Sequence, residues 1–176
     1  MSWKSSIEEI LSHKFKQAVE TTNVSSVNGG SINETLKLTT NIGKFFIKKI
    51  SASLYPEMFE KEAKGLNILA AANAIAVPNV VALGQVDNTE FLILDFIKSG
   101  RKQVDFWGHF ANKLASLHKN SSSYFGLDHD NYIGSLYQSN KKHNNWIDFF
   151  RSERLEKQVQ LARDHGRMGK IGRAHV

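Results

Sequence analysis

The 176-residue sequence contains no cysteine, which excludes a disulfide scaffold, a thiolate metal centre and a cysteine nucleophile. Proline is scarce, with 2 residues, so neither a polyproline stalk nor a proline-rich linker is present. No run approaches the roughly 18 consecutive apolar residues of a membrane span. The opening MSWKSSIEEILSHKF has no uninterrupted apolar stretch, which argues against a secretory signal. What remains is 41% hydrophobic and 23% charged, a globular composition able to bury a core. The expectation is a soluble cytoplasmic protein without membrane contact.

The formal net charge of +6 raises nucleic-acid binding as a function class. The placement of the charge argues against it. Between Lys141 and Lys170, the bases Lys141, Lys142, Arg151, Arg154, Lys157, Arg163, Arg167 and Lys170 are interleaved with Asp148, Glu153, Glu156 and Asp164. A helix of mixed sign reads as a solvated face.

Periodicity divides the chain in two. Ile7, Ile10, Leu11, Phe15 and Val19 recur at helical spacing and predict a helix over Ser5–Val19. The glycine pair in Asn28-Gly29-Gly30-Ser31 marks a turn. Alternation predicts strands over Glu34–Thr40 and Lys44–Ile50, joined at Asn41-Ile42-Gly43. Pro56 suits the first turn of a helix running to about Ala72. Two further strands follow, near Asn79–Val86 and Glu90–Ile97. A twisted antiparallel sheet with one inserted helix excludes the β-α-β alternation of a Rossmann sheet. Beyond residue 97 the pattern turns helical. Asp105 is placed to cap a helix carrying Phe106, Phe110, Leu114 and Leu117, and another helix covers Trp146–Gly166. The expected organisation is an α+β lobe over 1–97 and an incomplete helical lobe over 98–170.

Glu62 carries the chemistry. At about 100° per residue, Met58 and Leu69 fall about 40° and 20° to one side of it, and Leu66 and Phe59 about 40° and 60° to the other. Glu62 therefore faces the apolar arc of its helix, where a carboxylate requires a cation. The preceding strand offers two: Lys48 on the face of Phe46 and Ile50, Lys49 on the face of Phe45 and Ile47. Alternation alone leaves both open. A strand lysine paired to a helix glutamate beside a glycine turn is the arrangement that clamps nucleotide phosphates, although structural ion pairs look the same in sequence. His118 reads as a helix-end residue. His129, between Asp128 and Asp130, reads as a loop histidine rather than a metal ligand, and Trp146, Phe149 and Phe150 read as core.

From Ser5 to Arg167 the sequence resembles the fructosamine kinases (ketosamine-3-kinases), relatives of the aminoglycoside phosphotransferases. The resemblance rests on Gly29-Gly30-Ser31-Ile32, Phe46-Ile47-Lys48, Met58-Phe59-Glu60-Lys61-Glu62-Ala63, Leu92-Ile93-Leu94-Asp95-Phe96 and Leu114-Ala115-Ser116-Leu117-His118. It continues in Phe125-Gly126-Leu127, Asn131-Tyr132-Ile133-Gly134 and Asn145-Trp146-Ile147-Asp148-Phe149-Phe150. It implies a protein-kinase-like fold with a complete small lobe. It selects Lys48 as the phosphate lysine and Glu62 as its partner, with Gly29, Gly30 and Ser31 over the phosphates and Leu94, Asp95 and Phe96 at the nucleotide hinge. The implied reaction moves the γ-phosphate of ATP, with Mg²⁺, to the 3-hydroxyl of ketosamines on small molecules or protein lysines.

The His-Gly-Asp motif of such kinases does not occur here, since His165-Gly166 is followed by Arg167. The expectation is that the catalytic aspartate and the Mg²⁺ ligands lie outside these residues and that this polypeptide alone does not catalyse transfer. Ile171-Gly172-Arg173-Ala174-His175-Val176 matches what a common sequencing-library adapter encodes in one frame, and is expected to be a non-native tail. Two alternatives remain: a kinase-like phosphotransferase acting on another small-molecule hydroxyl, and a non-catalytic basic binding module.

Overall fold

A computed structural model describes residues 2–27 and 32–168. The expectations for Gly29, Gly30, Ser31 and residues 171–176 lie outside the described residues. Two compact units are present, one up to Asn120 and one from Ser121 onward. The expected boundary at residue 97 marks a change of secondary structure, whereas packing divides the chain after the next helix.

The first unit is a five-stranded antiparallel sheet of order β1-β2-β3-β5-β4. Its strands are β1 (Thr21–Ser26), β2 (Glu34–Thr40), β3 (Gly43–Ser51), β4 (Val80–Val86) and β5 (Thr89–Asp95). β1 has no counterpart among the predicted strands. It is a polar edge strand, TTNVSS, without the apolar alternation that reveals a half-buried one.

Helix α1 (Trp3–Phe15) is shorter at its end than the predicted Ser5–Val19. Ser2 caps its start by accepting the Ser5 N–H at 3.2 Å, and Lys16, at φ 54°, turns the chain out of the helix. Val19 keeps its place in the core from the following segment, which is why the helical period extends past the helix. Ser12 Oγ accepts the Val19 N–H at 2.9 Å, and Glu8 Oε1 accepts the Thr21 N–H at 2.8 Å, tying the helix to the start of β1. Ile7 and Leu11 of α1 pack with Leu36, Leu38, Phe45, Ile47, Phe91 and Ile93. That cluster takes one face of the sheet. Gly84 of β4 lets it close: a Cβ there would lie 2.5 Å from the Phe91 ring and 2.8 Å from Ile10 Cδ1.

Helix α2 (Met58–Ala71) begins after the predicted Pro56, because Glu57 adopts a left-handed φ of 58°. It buries Met58, Phe59 and Ala63, and packs against β4 and β5. Helix α3 (Phe106–His118) has no buried residue. Asp105 does not cap it as expected. The residue is left-handed at φ 58° with no side-chain capping bond, and its carboxylate sits over Gly108.

The second unit begins with a β-bridge between Phe125 and His143, and contains the hairpin β6 (Asn131–Ile133) and β7 (Leu136–Gln138). The predicted helix over Trp146–Gly166 is broken into α4 (Trp146–Phe150), a π-helical turn (Arg151–Leu155) and α5 (Glu156–Asp164). Asn145 caps α4 by accepting the Asp148 N–H at 2.9 Å. Phe149 is buried as expected. Trp146 and Phe150 are not core, being 52% and 39% exposed, because they stack on each other at the surface. Arg154 turns inward instead, donating to Ser139 O at 2.6 Å and to Asn140 Oδ1 at 2.5 Å. Arg151 meets Glu156 at 3.5 Å, so the bases of this segment do not form a uniform positive face.

Candidate functional site

β3 lies between β2 and β5, so its side chains are committed to one face or the other. Phe45, Ile47 and Lys49 share the face covered by α1. Lys49 Nζ lies 4.3 Å from the centre of the Trp3 ring and 3.0 Å from Glu34 Oε2. Phe46, Lys48 and Ile50 alternate onto the face occupied by α2. There Lys48 Nζ donates to Glu62 Oε1 at 2.8 Å and to Oε2 at 2.5 Å. The choice that alternation leaves open is resolved by which helix covers which face.

The pair is accessible. The Lys48 side chain is 19% exposed and that of Glu62 30%. Glu62 is thus not at the centre of the buried arc, as its helical angle suggests, but at its edge. Leu66 and Leu69 centre the apolar arc on Glu62, yet Leu69 is 38% exposed and burial stops at Phe59 and Ala63. Phe59 is fully buried, and its ring centre lies 5.7 Å from Lys48 Nζ, giving the ammonium an aromatic floor.

The residues expected at the hinge lie at the end of β5 and just beyond it. Lys48 is registered opposite Leu92, and Phe46 opposite Leu94, so Leu94 continues the face that holds the ion pair. Leu94 is buried, while Asp95 and Phe96 are half-buried. Asp95 is clasped by Asn79, whose Nδ2 donates to Asp95 Oδ2 at 2.7 Å while Asp95 N donates to Asn79 O at 3.1 Å. Lys37 Nζ lies 5.7 Å from the centre of the Phe96 ring. The glycine turn lies outside the described residues, but its flanks are anchored. Val27 N donates to Thr35 O at 2.9 Å, Thr35 Oγ1 donates to Val27 O at 2.6 Å, and Thr35 is registered opposite Lys48.

Sequence reasoning missed Glu90. It opens β5 in the run Thr89-Glu90-Phe91-Leu92, on the α2 face, and is 8% exposed. An acid leading an otherwise apolar strand was the available signal. Burial first, then the nearby Glu60 and Glu57, pushes its pKa above the usual carboxylate value. His129 Nδ1 meets Asp128 Oδ1 at 2.6 Å in a local pair. Among the described residues no group of three or more His, Asp or Glu is arranged to hold a metal ion, and no helix is long and apolar enough to cross a membrane.

The fructosamine kinase family profile matches residues 2–175. The chain is 37% identical over 151 residues to a chloroplastic protein-ribulosamine 3-kinase of Arabidopsis thaliana, covering 84% of this chain and 46% of that protein. It is 37% identical over 139 residues to an assigned ketoamine kinase of Synechocystis, covering 78% of this chain and 47% of the relative. The chain therefore spans about half the length of the curated relatives it matches. A crystal structure assigned as a fructosamine-3-kinase of Haemophilus somnus superposes with a TM-score of 0.83 at 28% identity, over 91% of this chain and 54% of that one. The fold is α+β and protein-kinase-like. With the family profile spanning nearly every residue, the chain belongs to the fructosamine kinase family.

Proposed function

We propose that these residues form the nucleotide-binding half of an ATP-dependent ketosamine kinase. The observation that carries the reading is the Lys48–Glu62 pair, an ammonium gripped by both oxygens of one carboxylate and only half-buried. The ammonium keeps enough free surface to meet a phosphate. Lys48 neutralises phosphate oxygens of ATP, and Glu62 holds the ammonium at the required height. Gly29, Gly30 and Ser31 fall in sequence between strands β1 and β2, and a glycine turn there offers backbone N–H groups to phosphate. Leu94 offers an apolar surface to the adenine, while Asp95 and Phe96 supply backbone groups at the hinge.

The whole protein transfers the γ-phosphoryl group of ATP to the 3-hydroxyl of a ketosamine, releasing ADP. Glycated small molecules and glycated protein lysines are the acceptors that the resemblance implies. The aspartate that orients the hydroxyl belongs to a His-Gly-Asp motif, with the Asn and Asp that hold Mg²⁺ following it, and these 176 residues do not contain that motif. When bound, the metal screens phosphate charge during transfer. This chain alone binds nucleotide and does not transfer phosphate.

The test is chemical protection. ATP added to the chain should slow acylation of Lys48 and leave Lys49 unaffected, while fructose-lysine with ATP and Mg²⁺ yields no phosphorylated product. Equal protection of both lysines, or of neither, refutes the nucleotide reading. Phosphate transfer by the chain alone refutes the assignment of the catalytic aspartate to residues other than these.

A further inference from the structure

The second unit holds a cavity of about 660 Å³ between the β6–β7 hairpin and the π-helical turn with α5. That volume falls within the range of small-molecule sites, roughly 300–1,000 Å³. Glu153, Arg154, Lys157 and Gln158 line it from the helical side, Tyr137 and Gln138 from the hairpin. The π-turn has a wider period than an α-helix, which lets the consecutive residues Glu153 and Arg154 both line the cavity.

Glu153 is 6% exposed. Its Oε1 meets His143 Nε2 at 3.1 Å, whereas Oε2 is buried with no hydrogen-bond partner among the described residues. Burial pushes its pKa up, but the neighbouring Ser139 side chain, His143 and Lys157 together hold it below the ordinary carboxylate value. The group is thus an ionised carboxylate, with about four lone-pair sites of which the protein fills few. Arg154 is engaged elsewhere, donating to Ser139 O, Glu153 O and Asn140 Oδ1. None of those bonds reaches the Glu153 carboxylate, and a buried oxygen left without a donor is costly. On the hairpin, the Tyr137 hydroxyl donates to Asp130 Oδ2 at 2.6 Å, which fixes the ring while the residue stays exposed. Ile133, Leu136 and Leu161 complete an apolar wall.

The charges select the ligand. A phosphate or carboxylate would face Glu153 and Asp130, and an amine would face Arg154, Lys141 and Lys157. A neutral, hydroxyl-rich molecule meets neither repulsion. We propose that this cavity binds a polyol of sugar size, with Glu153 as its buried hydrogen-bond acceptor. One hydroxyl donates to Glu153 Oε2, others pair with Lys157 and Gln158, and the C–H face of the ligand lies against the apolar wall and the Tyr137 ring. The site lies wholly within the second unit and does not depend on the nucleotide reading above.

The experiment titrates the isotope-labelled chain with sorbitol and with fructose-lysine, read by amide chemical shifts, with lysine and inorganic phosphate as controls. Saturable shifts at Tyr137, Ser139, Glu153 and Gln158 with both polyols, and none there with either control, support the site. Tighter binding of fructose-lysine than of sorbitol assigns the sugar half of a ketosamine, and equal binding assigns a free polyol. Shifts there with lysine or phosphate alone overturn the proposal, as does a cavity that takes up neither polyol and holds water only. Glu153→Gln keeps the shape, removes the charge and should weaken sorbitol binding at least about tenfold. Leu136→Trp leaves Glu153 in place and fills the cavity from an exposed position, so it serves where Glu153→Gln fails to fold. Unchanged sorbitol affinity in folded Leu136→Trp overturns the site. ATP protection of Lys48 is read on the same samples. Protection without polyol shifts retires the cavity alone, and polyol shifts without protection retire the nucleotide reading alone.

Discussion

Lys48 and Lys49 are neighbours in β3 and meet different acids on opposite faces of the sheet, Glu62 at 2.5 Å and Glu34 at 3.0 Å. Their chemistry is identical and their surroundings are not. Lys48 projects beside an aromatic floor and a helix carboxylate; Lys49 is packed beneath Trp3. Lys48→Met should abolish ATP binding by the chain, measured by calorimetry, at little cost in melting temperature. Lys49→Met should retain nucleotide affinity within about twofold and lower the melting temperature, since it loses an ion pair and a cation–π contact worth together about 1 kcal/mol. The opposite pattern would exchange their assignments.

Two glycines in the first unit should respond to alanine with opposite signs. At Gly84 a Cβ would strike the Phe91 ring and Ile10, so Gly84→Ala should destabilise by about 1–3 kcal/mol. Gly65 lies within α2, and a methyl group added there would meet nothing within 4 Å, so Gly65→Ala should stabilise by about 0.5–1 kcal/mol. Denaturant melts of both variants check the pair.

Glu90 gives the first unit a defined pH dependence. Burial, aided by Glu60 and Glu57, raises its native pKa above the unfolded value. For a carboxylate shifted upward, the associated stability is fully present below the unfolded pKa and is lost as pH rises through the native one. Glu90→Gln removes that loss, since the amide does not titrate. Its melting temperature should therefore gain on the parent as pH rises above the ordinary carboxylate pKa. A difference that is flat, or that shrinks with rising pH, contradicts the shift.

Asn140 is the polar centre of the second unit, 2% exposed. Its side chain donates to His129 O and Asn131 Oδ1 and accepts from Arg154, and its N–H reaches Asp130 Oδ1 at 2.6 Å. Asn140→Leu strands His129 O, Asn131 Oδ1 and the Arg154 guanidinium, while its N–H still reaches Asp130, and should cost about 2 kcal/mol or more. Hydrogen exchange over residues 129–140 should quicken while exchange in β3 and β5 stays unchanged.

The strands that alternate, the hairpin through Asn41-Ile42-Gly43 and the helix bearing Glu62 were all legible, because period and turn chemistry are local properties of a chain. So was the demand of Glu62 for a cation, and the fructosamine kinase profile matches residues 2–175, which hold the motifs that pointed to a kinase. The polar edge strand β1 was not legible, since its order comes from pairing with β2 rather than from its own residues. Nor was the end of α1: Val19 is buried by the tertiary core, and burial mimics helical period. Which lysine meets Glu62 was left open by alternation for a similar reason, and it was the resemblance that selected Lys48. Alternation separates the two faces of a strand but cannot say which helix lies on either, and only the packing of α1 and α2 on opposite sides decided it. Glu90 shows the same limit more sharply. It is buried on the α2 face of β5, an environment that strand pairing and helix packing create and that no local pattern of residues reveals.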